Sequence, residues 1–239
     1  MSIPRLYLDN TLAEGLVLEA APGQAHHIGT VLRRGPGDAV RLFNPRNGEW
    51  DARIESIRKD RARFAVEAQI RPPVAEPECR LLVAALKRDA MDWVVEKATE
   101  LGATLVQPVL TRRTVADRAN STRLAAIARG AAEQCERFSV PQVAEAAPLH
   151  RVLDDWDGVP LVVAMERSVA APARALSLPP GAPLALLVGP EGGFMGPELD
   201  DLRRRPFVVP AALGPRILRA ETAAVAGLAA LQALLGDWA

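Results

Sequence analysis

An α/β domain preceded by a small β-rich domain is what this chain predicts, on three observations. The first seventy residues hold period-two apolar runs around a turn. Beyond them, short continuous apolar runs alternate with stretches of helical periodicity. Two late apolar runs end directly on glycines, in Leu187-Val-Gly-Pro-Glu-Gly-Gly-Phe194 and Leu213-Gly-Pro-Arg-Ile-Leu-Arg-Ala-Glu-Thr-Ala-Ala224. Glycine lacks a Cβ, so a chain bends sharply there and brings its backbone close to a ligand.

In the first region, Val40-Arg-Leu-Phe43 and Trp50-Asp-Ala-Arg-Ile54 flank Asn44-Pro-Arg-Asn-Gly48, the signature of a hairpin. Arg61–Ala68 reads as a further strand, and Gln24–Leu32 as a helix-like interruption. These elements predict a small barrel over residues 1–72. Arg71-Pro-Pro-Val-Ala-Glu-Pro77 supplies the linker composition.

Over residues 73–239 the alternation begins with Leu81–Leu86, apolar throughout as a strand buried on both faces would be. Met91, Val94, Val95, Ala98 and Leu101 then recur at helical spacing before Gly102. Leu105–Leu110 predicts a strand. Ser121–Arg137 predicts a helix with Leu124, Ile127, Ala128, Ala131 and Cys135 on one face. Strands follow at Pro160–Met165, Leu184–Val188 and Phe207–Val209, and helices at Pro197–Arg204 and Ala220–Leu235. Such alternation argues for a largely parallel sheet, in which ligands sit beyond the carboxyl ends of strands. Both glycine segments lie at such ends.

Composition excludes several classes. Formal net charge is zero over 239 residues, so charge alone selects neither nucleic acid nor membrane. Lysine occurs only at Lys59, Lys87 and Lys97, so the basic residues are nearly all arginine. That bias is chain-wide, as base composition would make it. Cys79 and Cys135 are far apart, and His26, His27 and His150 form no ligand cluster, so no structural disulfide or metal is expected. No run has the length of a membrane span, and the first residues lack a signal-peptide core. A cytoplasmic protein is expected.

A phosphate is the first candidate for a glycine-rich loop, but the details oppose it. There is no Walker lysine, Glu191 would repel an anion, and Gly189-Pro-Glu-Gly-Gly193 is not GxGxxG. A ligand with a neutral adenine ring, an apolar arm and a positive charge fits better. Backbone groups would read the adenine edge, while Leu187, Val188, Leu213, Ile217 and Leu218 supply apolar contact. S-adenosylmethionine has these properties.

At this point the order of motifs resembles the RsmE family, the 16S rRNA uridine-N3 methyltransferases of the SPOUT superfamily. The matching pieces are Ile3-Pro-Arg5, His27-Ile-Gly-Thr-Val-Leu-Arg33, Gly35-Pro-Gly-Asp38, Glu96–Gly102, Glu133-Gln134, Gly189–Gly193 and Leu213–Ala223. The resemblance implies a PUA-like barrel in front of a SPOUT-type α/β domain closed by a trefoil knot, which is an exception to chain-topology rules. It also implies a homodimer that methylates a specific uridine of 16S rRNA in the decoding region, on the assembled small ribosomal subunit. Carried over residue by residue, it places the cofactor on Met165, Leu187, Val188, Gly189, Pro190, Glu191, Gly193, Leu213, Gly214, Ile217, Leu218, Arg219 and Thr222. Three positions depart from the family pattern: Glu136 where a Gly is usual, Arg112 where Glu is frequent, and Met195 where Ser or Thr is frequent.

Methylation at uridine N3 needs loss of an imide proton and in-line attack on a methyl group, with the base unpaired or flipped out. Arg219 is the candidate for stabilising the developing anion, because an arginine side chain stays charged. Glu221 and Glu133 are candidate proton acceptors, and both could equally form structural ion pairs, with Arg216 or Arg137. For RNA backbone contact, Arg5, Arg33, Arg34 and Arg46 lie in or beside loops or chain ends, and the family pattern adds Arg137. An RNA-binding assembly factor without catalysis is the alternative, and an adenine-nucleotide enzyme a more distant one.

Overall fold

The computed structural model describes residues 3–20, 22–58, 61–114, 119–165, 170–178 and 182–238. The chain forms two compact units. One comprises Met1–Glu76 with Ala132–Val140, the other Pro77–Ala131 with Pro141–Ala239.

The first unit is built on strands β1 (Arg5–Tyr7), β2 (Val17–Glu19), β3 (Ala39–Asn44), β4 (Gly48–Arg58) and β5 (Arg61–Arg71). They form one sheet in the order β1-β3-β4-β5-β2, antiparallel except for β1 beside β3. The predicted hairpin is β3–β4, with Asn44 opposite Gly48. In its turn the Asn44 side chain accepts from the amides of Arg46 and Asn47, the local bonding that favours Asn at such sites. Shifts of register along β4 and β5 mark bulges, which increase the local twist and curl a sheet. The apolar alternation of these strands buries Leu6, Val40, Leu42, Ile54 and Phe64 in one core. Between β2 and β3, α1 (Pro22–His26) runs into a π-helical turn over His27–Val31, with Leu32 N–H donating to the His27 carbonyl. The predicted helix therefore exists but changes its winding midway.

The second unit is an eight-stranded sheet whose pairs are all parallel. Its first elements are β6 (Cys79–Ala84), α2 (Arg88–Glu100), β7 (Leu105–Leu110) and α3 (Ser121–Cys135). The last turn of α3, from Ala132, belongs to the first unit. Then come β8 (Gln142–Val143), β9 (Ala147–Pro148), α4 (Leu149–Asp154), β10 (Leu161–Ala164) and β11 (Ala171–Pro172). The chain continues through β12 (Leu184–Val188), α5 (Gly196–Arg204), β13 (Val208–Ala212) and α6 (Ala220–Leu235). Strand order is β11-β13-β10-β12-β6-β7-β8, with β9 also pairing β7. Along β12, Ala185 and Leu187 pack with Leu149, Leu153 and Leu202 of α4 and α5. Leu186 faces α6, where a Cβ at Gly227 would lie 2.7 Å from its Cδ2. The helix can approach the strand that closely only because the residue is glycine.

Candidate cofactor and catalytic site

Strands β13, β10 and β12 are neighbours and run parallel, so their carboxyl ends share one edge. The register is close. Val163 stands opposite both Pro210 and Leu187, and Ala164 opposite Ala211. The residues that follow are Leu213 after β13, Met165 after β10 and Gly189 after β12. Adjacent strands lie about 4.8 Å apart, so three segments distant in sequence emerge side by side. Met165 N–H donates to the Ala211 carbonyl at 2.9 Å, which extends the ladder one residue past β10.

The loop after β12 is folded on itself. Gly193 N–H donates to the Pro190 carbonyl at 2.8 Å, and Gly193 has φ +70°, a left-handed conformation that favours glycine. A Cβ on Gly189 would meet the Phe194 ring at 2.9 Å. Glu191 is exposed and Pro190 buried. Leu187 and Val188 are 0% and 3% exposed, inside the sheet. The side chains of both, expected to supply apolar contact, are packed within the protein.

The second loop is open. Gly214 has φ +129°, and Gly214 through Ile217 are all exposed. Ile217 is 94% exposed, an apolar side chain with almost no packing of its own, while Leu213 and Leu218 are half-buried. Arg219 is the N-cap of α6, its carbonyl accepting from Ala223 N–H at 2.8 Å. The Arg219 side chain does not cap this helix, and among the described residues the first-turn amides of Ala220, Glu221 and Thr222 have no side-chain acceptor. Among the described residues, the side chains of Arg216, Arg219 and Glu221 make no hydrogen bond or ion pair with one another. The expected structural pair between Glu221 and Arg216 is not formed.

Other candidates lie in the first unit. The Glu133 carboxylate accepts from Tyr7 N–H at 3.1 Å and from the Gln24 amide at 3.4 Å. Arg5 is 8% exposed. Its guanidinium donates to Glu49 at 2.6 Å and to the carbonyls of Ala132, Glu133 and Arg137, and lies 4.1 Å from the Phe43 ring centre. Arg137, with a side chain 9% exposed, pairs with Glu76 and donates to Ser139 at 2.7 Å. Both guanidiniums, candidates for RNA contact in the sequence, are engaged by protein partners. Their positions beside chain ends and loops concealed carboxylates far off in sequence. Arg46 pairs with Asp9 on the surface. Arg33 is exposed, in a left-handed conformation at φ +52°, and Arg34 beside it is half-buried.

Sequence reasoning missed Arg113 and Glu198. Arg113 donates to the Gly192 carbonyl, and the Glu198 carboxylate receives the amides of both Arg112 and Met195, each at 2.8 Å. Glu198 had a legible signal, since Glu three residues past an N-cap is half of a capping box. Arg113 had none. A shallow depression lined by Pro77, Glu78, Leu184 and Leu235 lies at the opposite, amino ends of β6 and β12. Among the described residues no group of His, Cys, Asp and Glu could hold a metal, and no helix is long and apolar enough to cross a membrane.

Comparison with known proteins fits this geometry. Residues 74–232 match the RNA methyltransferase domain family, and residues 22–67 the RNA methyltransferase PUA domain. The ribosomal RNA small subunit methyltransferase E of Rickettsia conorii is 33% identical over 99% of this chain and 98% of its own. The chain belongs to the ribosomal RNA small subunit methyltransferase E family. The Bacillus subtilis member is 32% identical, over 87% of this chain and 86% of its own. The crystal structure of the Neisseria gonorrhoeae member, bound to S-adenosylmethionine, superposes with a TM-score of 0.88 at 29% identity, each chain covered in full. The two family models and the structural likeness cover the PUA-like domain and the parallel α/β domain described above.

Proposed function

We propose that this chain methylates N3 of a specific uridine in the decoding region of 16S rRNA, with S-adenosylmethionine as methyl donor. The observation that carries the proposal is the shared edge of β13, β10 and β12, which sets the two glycine loops and Met165 in a row. The relatives' names supply the small-subunit rRNA, and the Neisseria gonorrhoeae structure the cofactor.

The residues present fit that cofactor. The backbone of Gly189–Gly193 and of Leu213–Leu218 supplies polar groups at the sheet edge. Ile217 and Met165 supply apolar contact, and the uncapped amides of α6 supply donors. When bound, S-adenosylmethionine supplies an electrophilic methyl group. Arg219, exposed and beside the second loop, stabilises the negative charge that develops on the uridine ring as N3 loses its proton. Glu221, half-buried in the first turn of α6, accepts that proton directly or through water. Glu133 takes a structural part, its carboxylate being engaged by Tyr7 and Gln24. Arg33 and Arg34 contact RNA phosphates from the PUA-like unit, where they position without reading sequence.

In this proposal the enzyme is a cytoplasmic homodimer, knotted at its C-terminal end, that acts on the assembled small subunit. Calorimetry with S-adenosylmethionine, together with mass-spectrometric mapping of 16S rRNA from a deletion strain, tests it. Cofactor binding and loss of one N3-methyluridine in the strain are expected. A protein that binds RNA but no cofactor would instead be an assembly factor.

A further inference from the structure

We infer that Arg113 and Glu198 form a staple that holds the Gly189–Met195 loop in its cofactor-receiving shape, which makes Arg113 a positioning residue. The inference rests on the reading that this edge takes S-adenosylmethionine. The staple joins elements that do not touch in the sheet, because β6 stands between β7 and β12. The turn after β7 is closed by Thr114, whose hydroxyl accepts from Thr111 N–H at 2.8 Å. That turn presents Arg112 and Arg113 toward the loop after β12.

Two contacts close the gap, and they are independent. Arg113 Nη1 donates to the Gly192 carbonyl, while its alkyl stem covers Gly192 so closely that a Cβ there would lie 3.2 Å from Cδ. Glu198, in the first turn of α5, takes Arg112 N–H on one carboxylate oxygen and Met195 N–H on the other. A single carboxylate thus satisfies a helix N-cap and a foreign turn together. Met195 has no side-chain oxygen to cap its own helix, so Glu198 is the group that anchors the loop's far end. Gly192 and Met195 bracket the left-handed Gly193. Holding both fixes the direction in which the loop's amides face.

Preorganisation of this kind raises affinity by removing the ordering cost from the binding step. The test uses the full-length protein and the variants Arg113→Ala, Arg113→Lys and Glu198→Ala, with thermal melting to establish folding. Hydrogen exchange without ligand is expected to quicken at Gly193 and Met195 in both alanine variants. Affinity for S-adenosylmethionine should fall about tenfold, as for loss of one hydrogen bond from a charged donor. The KM for S-adenosylmethionine should rise by a similar factor and kcat fall by a smaller one, with Arg113→Lys recovering most of the loss. Unchanged exchange in Arg113→Ala overturns the staple, and so does faster exchange with unchanged affinity. A wild-type protein that binds no S-adenosylmethionine overturns the cofactor reading itself, a result distinct from the other two.

Discussion

In the PUA-like unit, Arg5 spends its guanidinium on Glu49 and three carbonyls and is 8% exposed. In the methyltransferase unit, Arg219 stands exposed at the start of α6, with no ion pair or side-chain hydrogen bond among the described residues. Both are arginines next to short motifs, and both entered as candidates for contact with a ligand or RNA. Their fates differ because of what the fold delivers to them. Around Arg5 it delivers a carboxylate 44 residues away and the C-terminal carbonyls of α3, so the charge is consumed. Around Arg219 it delivers an open loop and an uncapped helix, so the charge is left for something else. A buried arginine already satisfied by the protein is structure; an exposed one beside a strand-end loop keeps its charge in solvent.

The largest effect tests the first half of that contrast. Among the described residues, Arg5→Ala leaves Glu49 with only Arg71 as a charged partner and uncovers the end of α3, so about 3–5 kcal/mol of stability should go. Chemical unfolding measures it, and a loss below about 1 kcal/mol would place Arg5 with ordinary surface arginines. Arg219→Ala should instead leave stability nearly untouched. It should lower kcat on 30S subunits about 100-fold or more, with a smaller effect on cofactor affinity. Turnover close to wild type would remove Arg219 from the chemistry.

Glu76 sharpens the same contrast through pH. Burial pushes its carboxyl up, but the Arg137 charge and hydrogen bonds from Ser139 and Arg137 outweigh that and hold it below its ordinary value of 4.5. A carboxylate with a depressed folded pKa stabilises fully above the unfolded value, and the stabilisation disappears as pH falls through the folded one. Glu76→Gln should therefore melt lower than wild type at pH 7, with the two curves converging below pH 4.5 as the wild-type carboxyl is protonated. A gap that persists unchanged into acid would separate Glu76 from the charge of Arg137. The smallest effect belongs to Glu136. It sits just past α3 at φ +64°, a position that favours glycine, with Arg71 3.6 Å away as partial compensation. Glu136→Gly should raise stability by up to about 1 kcal/mol, and a fall would mean that the ion pair outweighs the strain.

The departures from the family pattern show why some of this was legible and some was not. The missing glycine at position 136 was visible in sequence, but the left-handed backbone that explains it was not. Met195 brings no side-chain oxygen to the start of α5, but its own N–H is held by Glu198. The predicted strands and helices of the second unit were legible because continuous apolar runs and helical spacing are local signals. The two-residue strands β8, β9 and β11 were not, since so short a segment carries no period and is set by its neighbours.

By itself, the sequence determined the β3–β4 hairpin, the longer strands and helices of the second unit and the two glycine loops at strand ends. It also set the motifs that tie the chain to its family. All of these depend on residues close together in the chain. Only the tertiary structure decided that β10 lies between β12 and β13, that Arg5 is buried and Arg137 half-buried against Glu76, and that Arg113 reaches Gly192. Each of these is a pairing across dozens of residues. Which partner a charge finds is set by the packing of the sheet, and no local pattern records it.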